Sequence, residues 1–173
     1  MNEMARPTAP RRIPSVLTID EVAAVLSRME GETGLLARLL YGTGMRLMEG
    51  LRLRVKDLDI PRKVITVREA KGGKDRVVML PQVLATPMSA QLDKARAIWT
   101  ADRAAQQSGV ETPHALDRKY PRAGQTWAWF WVFPSPTLAT DPRSGVIRRH
   151  HLYEQRLQRA LEVYRLSGLP MSQ

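Results

Sequence analysis

The sequence predicts a mainly α-helical domain carrying a small antiparallel β-hairpin. Three observations point there. Apolar residues recur at helical spacing up to about residue 53, and again between about 86 and 109. Two β-branched runs, Val64–Arg68 and Arg76–Leu80, flank the Gly-rich stretch Lys71-Gly-Gly-Lys-Asp75. Helical spacing returns toward the end of the chain. With 173 residues the chain has the length of one domain of ordinary size.

Residues 1–17 hold Pro7, Pro10 and Pro14 among arginines and small residues, and read as a basic linker or arm. The first helix opens at Thr18, with Glu21 three residues on in the capping-box pattern, and Val22, Val25, Leu26 and Met29 on one face. The second runs through Leu35, Leu36, Leu39 and Leu40 and is stopped by Gly42 and Gly44. A third, short helix starts near Met45 and carries Arg46, Glu49 and Leu53. After the hairpin, Pro87 suits a first helical turn, with Thr86 as cap. Met88, Leu92, Ala95, Ile98 and Trp99 form the stripe of this long helix, which should end near Gly109. Residues 110–145 crowd proline, glycine and aromatics together, with Trp127, Trp129 and Trp131 close to Phe130 and Phe133. A final helix is expected from about Gly145 to Ser167. Its apolar stripe is Tyr153, Leu157, Ala160, Leu161 and Tyr164, opposite Arg148, Arg149, Arg156 and Arg159.

Composition narrows the function classes. Lys plus Arg is 27 against 17 for Asp plus Glu, a formal net charge of +10, which suits a polyanionic partner such as nucleic acid. No apolar run approaches the ~20 residues needed to span a bilayer, and no apolar segment follows the N-terminal arginines, so a membrane or secreted reading falls away and the cytoplasm is the expected compartment. The chain has no cysteine, hence no disulfide framework and no thiolate chemistry. Three histidines without cysteine or a carboxylate cluster make no metal-ligand set. Gly72-Gly73-Lys74 lacks the Gly-x4-Gly-Lys-Ser/Thr spacing of a phosphate-binding loop, which excludes nucleotide hydrolysis of that type.

Arg46 follows Gly-Thr-Gly-Met at a helix start, where a guanidinium can hold two phosphate oxygens; a surface arginine on a capped helix is the plainer alternative. Lys71, on a glycine-supported turn, can reach a scissile phosphate and give a proton to a leaving oxygen, or stand as a solvated hairpin tip.

Together the segments Tyr41-Gly-Thr-Gly-Met-Arg-Leu-Met-Glu-Gly-Leu51, Arg54-Val-Lys-Asp-Leu-Asp59 and Glu69-Ala-Lys-Gly-Gly-Lys-Asp-Arg76 resemble the catalytic domain of tyrosine recombinases, and of integron integrases in particular. The resemblance implies that Arg46 and Lys71 act on the scissile phosphate, with Glu49 supporting Arg46 through an in-helix contact, and that the chemistry needs no metal or nucleotide cofactor. Ala115-Leu-Asp-Arg-Lys-Tyr-Pro-Arg-Ala-Gly124, the Trp127–Phe133 cluster and Asp141-Pro-Arg-Ser-Gly-Val-Ile-Arg-Arg-His-His151 resemble the insertion by which integron integrases receive bases bulged out of a folded single-stranded recombination site. By position Trp129, Pro142, His150 and His151 match the residues that pack on such bases, and Arg148, Arg149 and Lys74 are the cations expected beside the DNA. Core filling is the competing account for the tryptophans, and is expected of at least two of the four.

The resemblance covers roughly residues 11–161 and fades after Leu161. The family also has a separate DNA-clamping helical domain, a His-x-x-Arg motif and a tyrosine nucleophile. No His-x-x-Arg follows Arg76, and Tyr153 and Tyr164 lie on an apolar stripe better explained by packing. The expectation is therefore a partial catalytic domain over 18–173, incomplete at its C-terminus, with an integron-type insertion at about 110–151. Such a chain should bind duplex or folded single-stranded DNA without cleaving it alone. The competing reading is a non-catalytic protein that binds an intact integrase, itself or another partner through the exposed last helix.

Overall fold

The computed structural model describes residues 17–68 and 74–166. The arm at 1–16 and Lys71 lie outside the described residues, as does the side chain of Tyr164. Helices α1 (Ile19–Arg28), α2 (Gly31–Thr43) and α3 (Leu47–Leu51) come first, then β1 (Leu58–Asp59), β2 (Val64–Val67) and β3 (Arg76–Met79). The long α4 (Ala85–Ala104), a short α5 (His114–Lys119), the hairpin β4 (Pro134–Thr140) and β5 (Ile147–His151), and α6 (Glu154–Leu166) complete the order. The fold is mostly helical with two small antiparallel sheets, β1-β2-β3 and β4-β5.

Local chemistry accounts for the early elements. Thr18 Oγ1 accepts from Glu21 N at 3.2 Å and Glu21 Oε2 accepts from Thr18 N at 2.7 Å, the reciprocal capping box that starts α1. Gly44, at φ 66°, makes the left-handed turn from α2 into α3. Gly50 lets α3 lie on α2, since a Cβ there would sit 2.6 Å from Leu40 Cδ2. Strands β2 and β3 pair Val64 with Met79 and Val67 with Arg76, so Ile65 and Val67 turn into the core while Val77 and Met79 stay exposed.

Two apolar clusters hold the molecule. The larger packs Leu36, Leu39, Leu51, Ile65, Met88 and Phe133, all fully buried, between α2, α3, the three-stranded sheet, α4 and α6. The smaller gathers Ala95, Val110, Phe130 and Trp131 beside Trp99, Trp127 and Trp129. Leu53 and Val55 stitch them together: Val132 N donates to Leu53 O at 2.9 Å and Val55 N to Phe130 O at 3.0 Å.

Three expectations are corrected. The final helix does not begin near Gly145. Residues 147–151 form β5, and α6 starts at Glu154. Gly145 instead closes the β4–β5 turn at φ 69°, and the Asp141 carboxylate accepts from Arg143 N at 2.9 Å and Ser144 Oγ at 3.0 Å. Arg148 and Arg149 consequently point to opposite faces of a strand rather than sharing a solvated helix face, and Tyr153 precedes α6. Of the predicted stripe, Leu157 is buried and Ala160 packs on the core, whereas Leu161 is 41% exposed. Helix α4 starts at Ala85 with Leu84 in the cap position, so Thr86 is not its cap, although Pro87 does lie in its first turn. It ends at Ala104, before Gln106 takes a left-handed φ of 53°.

Candidate nucleic-acid interface

The first part of the site is built on Glu49. In α3 its carboxylate faces back toward Arg46, the cap residue, and accepts from Arg46 N at 2.7 Å and Arg46 Nη1 at 3.2 Å. Arg76, the first residue of β3, grips the same carboxylate with both arms, Nη1 to Oε1 and Nη2 to Oε2, each at 2.8 Å. These Arg76 bonds hold the Glu49 carboxyl at about 2, well below its ordinary range. Glu49 is nearly buried at 9% side-chain exposure, while Arg46 is 58% exposed and presents most of its guanidinium to solvent. The in-helix contact expected between Glu49 and Arg46 is present. The stronger partner, Arg76, escaped sequence reasoning because it stands 27 residues away.

Arg76 matters for a second reason. It pairs with Val67 where β2 ends and β3 begins, so its grip on Glu49 holds that end of the strand pair against the start of α3. Arg68, at the same end, donates to Asp57 at 2.9 Å and Asp75 at 2.8 Å. Lys74 is exposed beside it.

The second part is aromatic. Arg54 is largely buried, and its guanidinium carbon lies 3.1 Å from the Trp131 ring centroid. It donates to Trp129 O at 2.9 Å and Glu111 O at 2.8 Å, bolting the tryptophan segment to the chain entering β1. Burial lowers Arg54 to about 9, so it stays charged at neutral pH. Trp131 is core, its Nε1 donating to Arg149 O at 3.1 Å. Trp127 stacks on Phe130 and meets Trp99 edge-on, and Arg96 lies over both indoles at 4.6 and 4.7 Å. Trp129 is different. It is half-buried, Lys56 Nζ stands 3.7 Å from its ring centroid, and its indole lines an open, largely apolar cavity of about 740 Å³. Leu116, Tyr120, Ala123 and Ala128 share that cavity, with Lys119 and Arg122 among its lining cations.

The remaining expected DNA contacts scatter. Pro142 is exposed in the β4–β5 turn. Arg148 faces Asp141 at 3.5 Å and lines a separate cleft of about 350 Å³ beside Gly109 and Gly124. Arg149 turns inward: Nε donates to Asp102 Oδ2 at 2.9 Å, Nη2 to Asp102 Oδ1 at 2.5 Å, and Nη1 to the carbonyls of Ser135 and Pro136. Its expected place beside DNA is replaced by a buried structural pair. His150 Nε2 is buried without a hydrogen-bond partner. His151 stands edge-on to Trp131 at 5.3 Å, and burial lowers its pKa. None of Pro142, His150 and His151 lines the cavity at Trp129. Among the described residues no group of three His, Asp or Glu could hold a metal, and no helix is long and apolar enough to cross a membrane.

Comparison with known proteins gives a match to the phage integrase family over residues 15–168. Two proteins called "Integrase/recombinase", from Escherichia coli and Pseudomonas aeruginosa, are each 58% identical over 162 residues, which is 94% of this chain and 48% of theirs. The tyrosine recombinase XerA of Thermococcus kodakarensis is 34% identical over 140 residues, 66% of this chain and 50% of that protein. The chain thus spans about half the length of the curated relatives it matches.

Proposed function

Because this chain belongs to the phage integrase family of tyrosine recombinases, we propose that it is an integron-type segment whose own task is to hold recombination-site DNA in the cytoplasm. The observation that carries this reading is the Arg46–Glu49–Arg76 cluster. One carboxylate fixes two guanidiniums at the end of the strand pair where β2 finishes and β3 starts, and Arg46 remains exposed for a phosphodiester. In this reading Arg46 and Lys71 contact the scissile phosphate, Lys74 and Arg148 lie along the backbone, and Trp129, Pro142, His150 and His151 meet extrahelical bases. Residues 110–151 are the insertion that brings those bases in. The chemistry uses no metal or nucleotide cofactor. In this reading the task of these 173 residues is to bind DNA.

The test is a gel-shift series with a bulged hairpin and a fully paired duplex at several salt concentrations. Binding is expected to weaken as salt rises, with preference for the bulged hairpin. Arg46→Ala is expected to weaken binding to both and to reduce the salt slope by about one, as loss of one phosphate contact requires. Equal or absent binding to both DNAs refutes the base-recognition part.

A second reading draws on α6, where Leu161 is 41% and Val163 63% exposed. Those residues can seat a second copy or an intact integrase. Light scattering at rising protein concentration separates the two, since a monomer at every concentration removes self-association.

A further inference from the structure

The charges of the Arg46–Glu49–Arg76 cluster are not shared evenly. Side chains alternate faces along a strand, and Arg76 is paired with the buried Val67, so it leaves β3 on the inner face, toward α3. There it commits two donors to the Glu49 carboxylate, Nη1 to Oε1 and Nη2 to Oε2, both at 2.8 Å. Arg46 offers the same carboxylate its backbone N at 2.7 Å but only one guanidinium nitrogen, at 3.2 Å. The two-pronged pair is the tighter of the two guanidinium contacts. Exposure follows the same order: 9% for the Glu49 side chain, 35% for Arg76 and 58% for Arg46. The cluster carries one net positive charge, and its outermost guanidinium is that of Arg46.

A carboxylate beside a phosphate-binding arginine works against binding, because it cancels the charge that the phosphate would use. Glu49 is nonetheless tied to Arg46, since it accepts from the Arg46 backbone N and so caps the start of α3. A second cation on the same carboxylate removes the conflict. We propose that Arg76 is a positioning residue for DNA binding: it neutralises Glu49, which keeps its cap on α3 while the Arg46 guanidinium retains its charge for a phosphodiester. Without Arg76, Arg46 and Glu49 become a neutral pair. Arg76 itself makes no contact with DNA in this arrangement, and its effect reaches the phosphate only through Glu49 and Arg46. The inference rests on the reading above that Arg46 meets a phosphodiester, and it adds a residue to which the resemblance gave no role.

The experiment uses the whole chain and a dye-labelled, fully paired DNA duplex. Anisotropy gives Kd over a roughly fourfold range of salt, and circular dichroism checks that each variant is folded. Arg76→Gln is expected to lower the salt slope by about one, as Arg46→Ala does, which is about a fourfold difference in how far Kd rises over that range. Arg76→Lys keeps the positive charge and should keep the slope. The deciding variant is Glu49→Gln combined with Arg76→Gln. It lacks both of the paired charges, so Arg46 is again unopposed and the slope of the unaltered chain should return. That variant also carries the test if Arg76→Gln alone does not fold. A slope still lower by about one in the double variant would mean that Arg76 touches DNA itself or acts through the fold alone. That result overturns the proposal while the DNA-binding reading stands. If the unaltered chain shows no salt-dependent binding of the duplex, that reading falls and takes this one with it.

Discussion

Asp102→Ala is expected to cost about 3–5 kcal/mol of unfolding free energy, because it strands the Arg149 guanidinium in the interior. Asp102 on α4 and Arg149 on β5 form a two-pronged pair, with side chains only 8% and 11% exposed. The third arm of Arg149 is taken by the carbonyls of Ser135 and Pro136. Removing the carboxylate leaves a desolvated cation with neutral acceptors only, whereas replacing both partners by apolar residues of similar size removes the uncompensated charge. The double variant Asp102→Leu with Arg149→Met should therefore recover most of the loss. Urea unfolding followed by circular dichroism measures both. A cost for Asp102→Ala below about 1 kcal/mol, the scale of a solvated pair, would show that the side chains are not desolvated as described. The double variant also settles the role of Arg149 toward DNA. A buried arginine contributes no counterion release, so the salt slope of DNA binding should match that of the unaltered chain.

The same pair shows where sequence reasoning stops. Signals confined to a few residues were readable: Thr18 with Glu21, Gly44 ending α2 (Gly42 lies within it), and the β-branched runs that became β2 and β3. Strand β5 was not. Ile147-Arg-Arg-His-His151 carries little β-branched character, and its partner β4 contains Pro134 and Pro136, which ordinarily argue against a strand. The pairing tolerates them because its register shifts between Pro134 and Leu138, and because Arg149 is neutralised by a carboxylate 47 residues earlier. Glu49 was visible as a neighbour of Arg46, but the grip of Arg76 on it depends on how the hairpin lies on α3. The Arg54 guanidinium against Trp131 likewise joins residues far apart in the sequence. Long-range charge pairing leaves no local periodicity to read.

Glu49→Gln should give a stability loss that depends on acidity in a defined way. Arg76 chiefly, with help from Arg46, holds the Glu49 carboxyl at about 2 in the folded chain, against an ordinary 4.5. A carboxyl depressed by folding stabilises the fold fully above its unfolded value, and the contribution fades as pH falls through the folded one. The unaltered chain should therefore exceed Glu49→Gln by a constant margin from pH 7 down to about 5. The margin should shrink between about 4.5 and 2, and vanish below. Arg76 and Arg46 are 35% and 58% exposed, so solvent screening limits the margin to about 1–2 kcal/mol. Asp141 is also depressed, through its bond from Arg143 N, and loses stabilisation in acid too; comparing the two proteins at each pH cancels that contribution. Arg76→Lys supplies the control, since an ammonium keeps the charge and loses the two-pronged geometry. It should reproduce part of the margin, with the fall in acid starting at the same pH and ending at a higher one. Urea midpoints at closely spaced pH values measure this directly, and a margin independent of pH from 7 to 2 would mean that the Glu49 charge does not hold the hairpin against α3.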